Sequence, residues 1–483
     1  MRPADTLGRM SRPPIQIPPD AGRSWWLHDA LADDPGEPAP PLSGDTSADV
    51  VILGGGYPGL WTAYHLKQLD PGVDVVLLEQ DICGGGPSGR NGGFCNSYWS
   101  NLEDLVDQVG DAAALELCRE GDRSVDAIGA FCTTHGVDAW FRQDGDLAAA
   151  SSEAQIGAWG GMVMATDRLG IADEFTVLNT DDIRAKVNSP SFRGGIFTAH
   201  GATVQPARLA RGLRRVVLEQ GVRIFEGTPV TRFGEGVPSV AETPNGSVKA
   251  GAAVVALNAW ASHWKRFRRV ITVRGSYIVL TAPAPEKLAE LGWTQGFGVW
   301  NYRAALHYLR TTPDGRIAFG IGGMQPNLAR KIGPRFAYDE TALRYAAEDL
   351  VRMFPTFSDV PIEAGWGGPI DVSGSHLPFF GTTETGSVHY GLGYTGNGVA
   401  PSHLGGKILA HRALGRYDDV LGLPIVDAEP KRFPPEPIRS PGVLVANHAI
   451  RRKDDAEDRG QEPNPLVDFV AKLPRRLGYD LGP

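Results

Sequence analysis

Apolar and polar positions follow distinct rhythms along the chain. Short unbroken apolar runs, Val50-Val51-Ile52-Leu53, Val75-Val76-Leu77-Leu78 and Ala252–Leu257, predict strands buried on both faces. Helical spacing predicts helices within 101–135, where Leu102, Leu105, Val106, Val109, Val125, Ile128 and Phe131 recur. It does so again from Gln205 to about Gln220, from Leu343 to Phe354 before Pro355, and from Pro401 to about Leu414. Strands are expected at Trp140–Gln143, at Gly145–Leu147, at Val222–Glu226 and at Val270–Leu280. A hairpin is expected over 305–320, turning at Thr312-Pro313-Asp314-Gly315.

The strand at Val50 runs into Gly54-Gly55-Gly56-Tyr57-Pro58-Gly59, which opens the helix that follows. In Gly-x-Gly-x-x-Gly, Gly54 permits the turn, Gly56 lets backbone approach a pyrophosphate, and Gly59 packs helix on strand. The helix N-terminus offers free N–H groups to phosphate. Glu79 ends the second strand 20 residues past Gly59, where a carboxylate can take both ribose hydroxyls. The alternative is a glycine-rich turn without a ligand. A second glycine-rich loop, Gly84-Gly85-Gly86-Pro87-Ser88-Gly89-Arg90-Asn91-Gly92-Gly93, follows. A cofactor with a large flat ring beyond its pyrophosphate needs such a second close approach.

On these residues the chain resembles the FAD-dependent oxidoreductases of the D-amino-acid oxidase and glycine oxidase superfamily. Ser88-Gly89-Arg90-Asn91-Gly92-Gly93 is similar to the branch with gamma-glutamylputrescine oxidases and aminophosphonate oxidoreductases. The resemblance implies an α/β and α+β architecture: a Rossmann-type FAD-binding domain with an interleaved mixed-sheet substrate domain. It maps the FAD-binding domain to 48–100, 195–265 and 366–416, and the substrate domain to 101–194 and 266–365. It adds Val230 against the adenine, Ala256 at a third contact, and Gly393, Gly396, Asn397, Gly398 and Val399 near the flavin. The expected reaction is oxidation of an amine C–N bond to an imine that water hydrolyses, with O2 or another electron acceptor. Trp300, Tyr302, His307, Tyr308, Trp366 and Tyr394 are candidates for the catalytic pocket, and His307 and His376 for a base; each is also an ordinary packing residue. Relatives with covalent flavin use a late cysteine or an early histidine. Neither is present here, so noncovalent FAD is expected.

Two departures bear on the substrate. Where glycine-oxidase-like relatives carry a carboxylate-clamping arginine, Trp366-Gly367-Gly368-Pro369-Ile370-Asp371 places Ile370. Where sarcosine-oxidase-like relatives carry a lysine, Gly396-Asn397-Gly398-Val399-Ala400 places Ala400. A buried carboxylate without a partner is strongly unfavourable. The resemblance thus implies an amine without a carboxylate beside the reacting carbon, any anion lying farther out near Arg274, Arg303 or Arg310. A D-amino-acid, glycine or sarcosine oxidase or dehydrogenase is the alternative. A pyridine-nucleotide dehydrogenase and a non-catalytic flavin-binding subunit are competing classes.

Composition narrows the partners. Among 483 residues the net charge is −9, so no basic footprint for nucleic acid is expected. No apolar run reaches the ~18 residues of a membrane span, and no secretory signal is evident. Four cysteines, at 83, 95, 118 and 132, form no Cys-x-x-Cys pair. A reduced, cytoplasmic protein without a bound metal is expected. Residues 1–47 read as a Pro-rich extension, with Trp25-Trp26-Leu27 either packed on the body or left in a mobile tail. Residues 417–483 read as a second extension, with a helix from Val443 to Arg452 and a solvated face at Arg451-Arg452-Lys453.

Overall fold

A computed structural model describes residues 15–323 and 332–479. Two sheets dominate it. In the first, Thr46–Leu53 lies between Gly246–Val255 and Val75–Leu78, all parallel, with Arg223–Phe225 beyond and Val388–Leu392 and Phe379–Thr382 on the other side. The apolar runs are strands because both faces are covered. Val50 and Ile52 pack under the helices Tyr57–Leu69 and Val399–Ala413, while Val51 and Leu53 pack on the opposite face with Phe267 and Phe379.

The second sheet has the order 362–373, 271–281, 317–321, 307–311, 298–301, 146–149, 195–198, 175–178. It is mixed, since Gly298–Asn301 runs parallel to Asp146–Ala149 and the other pairs are antiparallel. The helix Glu340–Met353 covers one face through Leu343, Ala347 and Leu350.

Sheet membership shifts two of the expected borders. Gly195–Thr198 pairs with Asp146–Ala149, and Ile362–Ser373 pairs along its length with Ile271–Thr281. Both strands belong to the second sheet. Trp140–Gln143 is not a strand: Arg142 makes an isolated bridge to Thr203, and the strand begins at Asp146.

The N-terminal extension is not irregular throughout. Ser24 caps a helix, Trp25–Asp33, by accepting the Leu27 N–H at 3.1 Å. Nine residues between proline clusters suffice for it, and Trp26 is fully buried against Trp366 and Trp140. The mobile-tail alternative is therefore overturned. At the other end, the expected helix is longer, Arg439–Asp458, and is followed by Pro465–Arg476. No helix among the described residues is long and apolar enough to cross a membrane.

Candidate functional site

A cavity of about 1200 Å³ opens at the C-terminal ends of the parallel strands. It exceeds the ~300–1,000 Å³ of sites for drug-sized ligands, as an extended dinucleotide requires. Gly54, Gly56, Pro58, Glu79, Gly86, Ser88, Arg90, Val230 and Ala256 line it. They come from four separate stretches, gathered by the strand order.

The first glycine loop has room for backbone and ligand only. Gly54 has φ +108°, and a Cβ there would sit 2.5 Å from the Ala256 carbonyl oxygen. A Cβ on Gly59 would collide with the Gly54 carbonyl. Gly56 differs: its φ of −82° suits any residue, and its Cβ would approach Ser88 Oγ at 3.0 Å. Glu79 accepts the Gly55 N–H at 2.8 Å and the Asp81 N–H at 2.9 Å. Burial pushes its carboxyl up, against those two bonds. Tyr57 faces away: its hydroxyl donates to the Pro206 carbonyl, and its backbone N–H donates to Ser88 Oγ.

The second glycine loop is held by its own residues. Arg90 donates to the carbonyls of Gly85, Gly22 and Gly367, so its charge ties three segments together. Asn91 staples the turn, donating to Pro87 and Ser88 and accepting the Gly93 N–H. Cβ atoms on Gly89 and Gly93 would collide with the Gly84 and Val204 carbonyls, and one on Gly92 would meet the Tyr308 ring at 2.7 Å. The N-terminal helix seats the loop from outside: Trp26 Nε1 donates to the Asn91 carbonyl, and Ser24 Oγ to that of Gly89.

The late segment, Gly393 to Val399, contributes no residue to the cavity lining and is joined to it through Asp371 and Asn258. Asp371 organises it, accepting from Asn258 Nδ2 and the Gly393 N–H, both at 2.6 Å, while its carbonyl accepts the Thr395 N–H. Burial raises the Asp371 carboxyl to about 7, opposed by these donors. Gly396, with φ +87°, faces Ile370, and Gly398 leads into the helix from Val399; Asn397 closes the turn through its N–H on the Tyr394 carbonyl. Asp371→Asn puts an amide against two N–H donors. Hydrogen bonds to a charged group contribute ~1.5–3 kcal/mol, so affinity for a ligand resting on Asn258 should fall about 10- to 100-fold. Equilibrium dialysis against FAD checks this.

None of the six pocket candidates lines the cavity, and Tyr302 packs against Trp300. His307 is fully buried in the substrate domain, 2.8 Å from Asp349 and bonded to Asn301. Burial lowers it to about 4, against the bond to Asp349 that raises it. Trp300 donates to Asp146 beside a separate small hollow. Trp366 donates to the Arg90 carbonyl and Tyr308 bonds Ser276, so both hold the second loop in place. The Tyr394 ring packs on Phe380 and the helix from Val399. His376, in the turn after Ser373, also lies off the cavity lining. Aromatic type alone could not separate packing from pocket. Conversely, sequence reading missed Trp260, Phe336 and the basic rim of Lys265, Arg266 and Arg432. The signal for the first two cations was the run Lys265-Arg266-Phe267-Arg268-Arg269 directly after the third core strand. Glu235 and Glu384 share this rim and pair with Arg266.

Residues 49–412 match the DAO family of FAD dependent oxidoreductases. The chain is 29% identical over 391 residues to the gamma-glutamylputrescine oxidoreductase of Escherichia coli K12, covering 79% of this chain and 88% of that protein. It is 25% identical to the sarcosine oxidase subunit beta of Rhizobium meliloti, over 75% of this chain and 83% of the relative. Glycine oxidase from Geobacillus kaustophilus superposes with a TM-score of 0.63 at 19% identity, covering 77% of this chain and 96% of that one. Strand order, glycine cradle and these matches agree, and the chain belongs to the DAO family of FAD-dependent amine and amino-acid oxidoreductases.

Proposed function

We propose that this enzyme oxidises the C–N bond of an extended amine whose anionic group, if any, lies away from the reacting carbon. The carrying observation is Ile370. The resemblance puts it at the arginine position of glycine-oxidase-like relatives, and a Cβ on Gly396 would lie 3.6 Å from its Cδ1. An aliphatic side chain there cannot pair with an α-carboxylate. The likeness to a gamma-glutamylputrescine oxidoreductase supports a polyamine-conjugate substrate.

Bound FAD supplies a two-electron sink for the amine C–H. The chain's own residues do the rest. Gly54–Gly59 and Glu79 hold the dinucleotide, the helix N-terminus at Tyr57 faces its phosphates, and Asp371 fixes the loops at Asn258 and Gly393. A low-dielectric wall disfavours the protonated amine, leaving the neutral form that gives up hydride. In this reading the protein is cytoplasmic and its flavin noncovalent.

Anaerobic mixing with D-alanine, glycine, sarcosine, γ-glutamylputrescine and 2-aminoethylphosphonate tests the proposal. One of the last two should bleach the flavin most efficiently, and best turnover of any of the first three overturns it. Acid precipitation of the same preparation should leave all yellow colour in the supernatant. Colour in the pellet would show a covalent link.

A further inference from the structure

Arg274 is a buried cation with no counter-charge among the described residues. It is 4% exposed. Its Nη1 donates to Asn447 Oδ1 at 2.6 Å, while its Nε and Nη2 have no partner among the described residues. Asn447, 8% exposed, leaves its own Nδ2 unpartnered as well. Three orphan donors therefore belong to one bonded pair, with no acceptor supplied. Burial alone depresses the guanidinium, to about 10, with no carboxylate opposing it. An isolated buried charge is strongly unfavourable, and an orphan donor adds to the cost.

The other two candidate cations are already occupied. Arg310 donates to the carbonyls of Val204 and Thr311, and Arg303 is surrounded by Asp349, Asp454, Asp455 and Asp458. Position distinguishes Arg274 further. It stands directly opposite Ile370 in the antiparallel pair, so both side chains leave the same face of the sheet. Two residues along that face, Ser276 bonds Tyr308, whose ring abuts Gly92 of the second glycine loop. Arg274 thus sits one strand beyond the aliphatic position, on the face turned toward that loop. Asn447 comes from the helix Arg439–Asp458, outside the 49–412 family match.

We propose that Arg274 and Asn447 form the subsite for the distal anion of the substrate, a carboxylate or phosphonate carried on the amine's far end. The inference rests on the extended-amine reading. The C-terminal helix is then part of the substrate site, supplying an amide that orients the guanidinium and donates to the same anion.

The test uses FAD-loaded enzyme and two probes, N-glutaryl-1,4-diaminobutane and N-butyryl-1,4-diaminobutane. Arg274→Met keeps the length and removes the charge. It should lower kcat/KM for the glutaryl probe about 10- to 100-fold and change the butyryl probe less than about threefold. Flavin content and visible spectrum should stay unchanged. Asn447→Asp puts a carboxylate where the anion should sit and should give the same selective loss. Equal loss for both probes, undiminished preference for the acid, or a shifted flavin spectrum overturns the subsite; the last would assign Arg274 to the cofactor. If neither probe reduces the wild-type flavin, the proposed reaction falls, and glutarate alone decides the subsite. It should raise Tm in the wild type and not in Arg274→Met, and no difference overturns the inference.

Discussion

Gly56→Val is expected to give a folded, colourless protein. The backbone at Gly56 is extended, with φ −82° and ψ −178°, so valine fits without strain. Its nearest protein contact would be Ser88 Oγ at 3.0 Å, a side-chain atom that can turn aside. The branched carbons then project into the cavity where the pyrophosphate must come close. Overpacking of this kind costs ~1–3 kcal/mol or more, a loss of about 10- to 100-fold in FAD affinity. Gly59→Val provides the contrast. Its Cβ meets the Gly54 carbonyl, which cannot move without shifting the strand, so this variant should fail to fold. Flavin absorbance per mole of protein and far-UV circular dichroism separate the outcomes. A Gly56→Val protein with full flavin would remove the loop from the cofactor site.

Arg303→Met should fold but lose much of its stability. Arg303 is 1% exposed, with Asp458 at 2.6 Å, Asp349 at 3.3 Å, Asp455 at 3.4 Å and Asp454 at 3.6 Å. Three of these acids lie on the C-terminal helix, and Asp349 lies on the substrate-domain helix. Removing one partner of a buried ion pair costs ~3–5 kcal/mol, because the remaining charges stay buried. Burial already raises Asp454 and Asp458, and Arg303 is what pulls them back down. Without it their folded values climb further above the unfolded ~3.9. Stability from these groups is then fully present below that value and lost as pH rises through the folded ones. The variant should therefore lose more Tm at pH 8 than at pH 5. Limited proteolysis at pH 8 should cut first around the helix Arg439–Asp458. Equal losses at both pH values would show that packing, not charge, holds the helix.

The parts legible in the sequence were those set by neighbours in the chain. The strand at Val50, the turn at Gly54 and the acid at Glu79 obey local rules, and their places agree with the parallel sheet. The C-terminal helix was not legible in full. Its Asp454, Asp455 and Asp458 extend a charged run that reads as solvated, yet Asp454 is 2% exposed. The reason is a cation more than a hundred positions earlier, and no periodicity encodes a pair that distant. Arg274 was named with Arg303 and Arg310 as a place for a distal anion, and only its register against Ile370 sets it apart from them. Trp366 and Tyr308 were singled out as pocket aromatics, and their bonds to the Arg90 carbonyl and Ser276 became visible only in the fold.

Arg90 sets a schedule for biosynthesis. Its guanidinium reaches a carbonyl at Gly22 and another at Gly367, the second 277 residues later in the chain. At ~5–20 residues per second, a ribosome needs roughly 15–55 s to deliver that last acceptor. Until then the nascent glycine loop lacks one wall and one anchor. Cofactor capture should accordingly wait for the strand that carries Gly367.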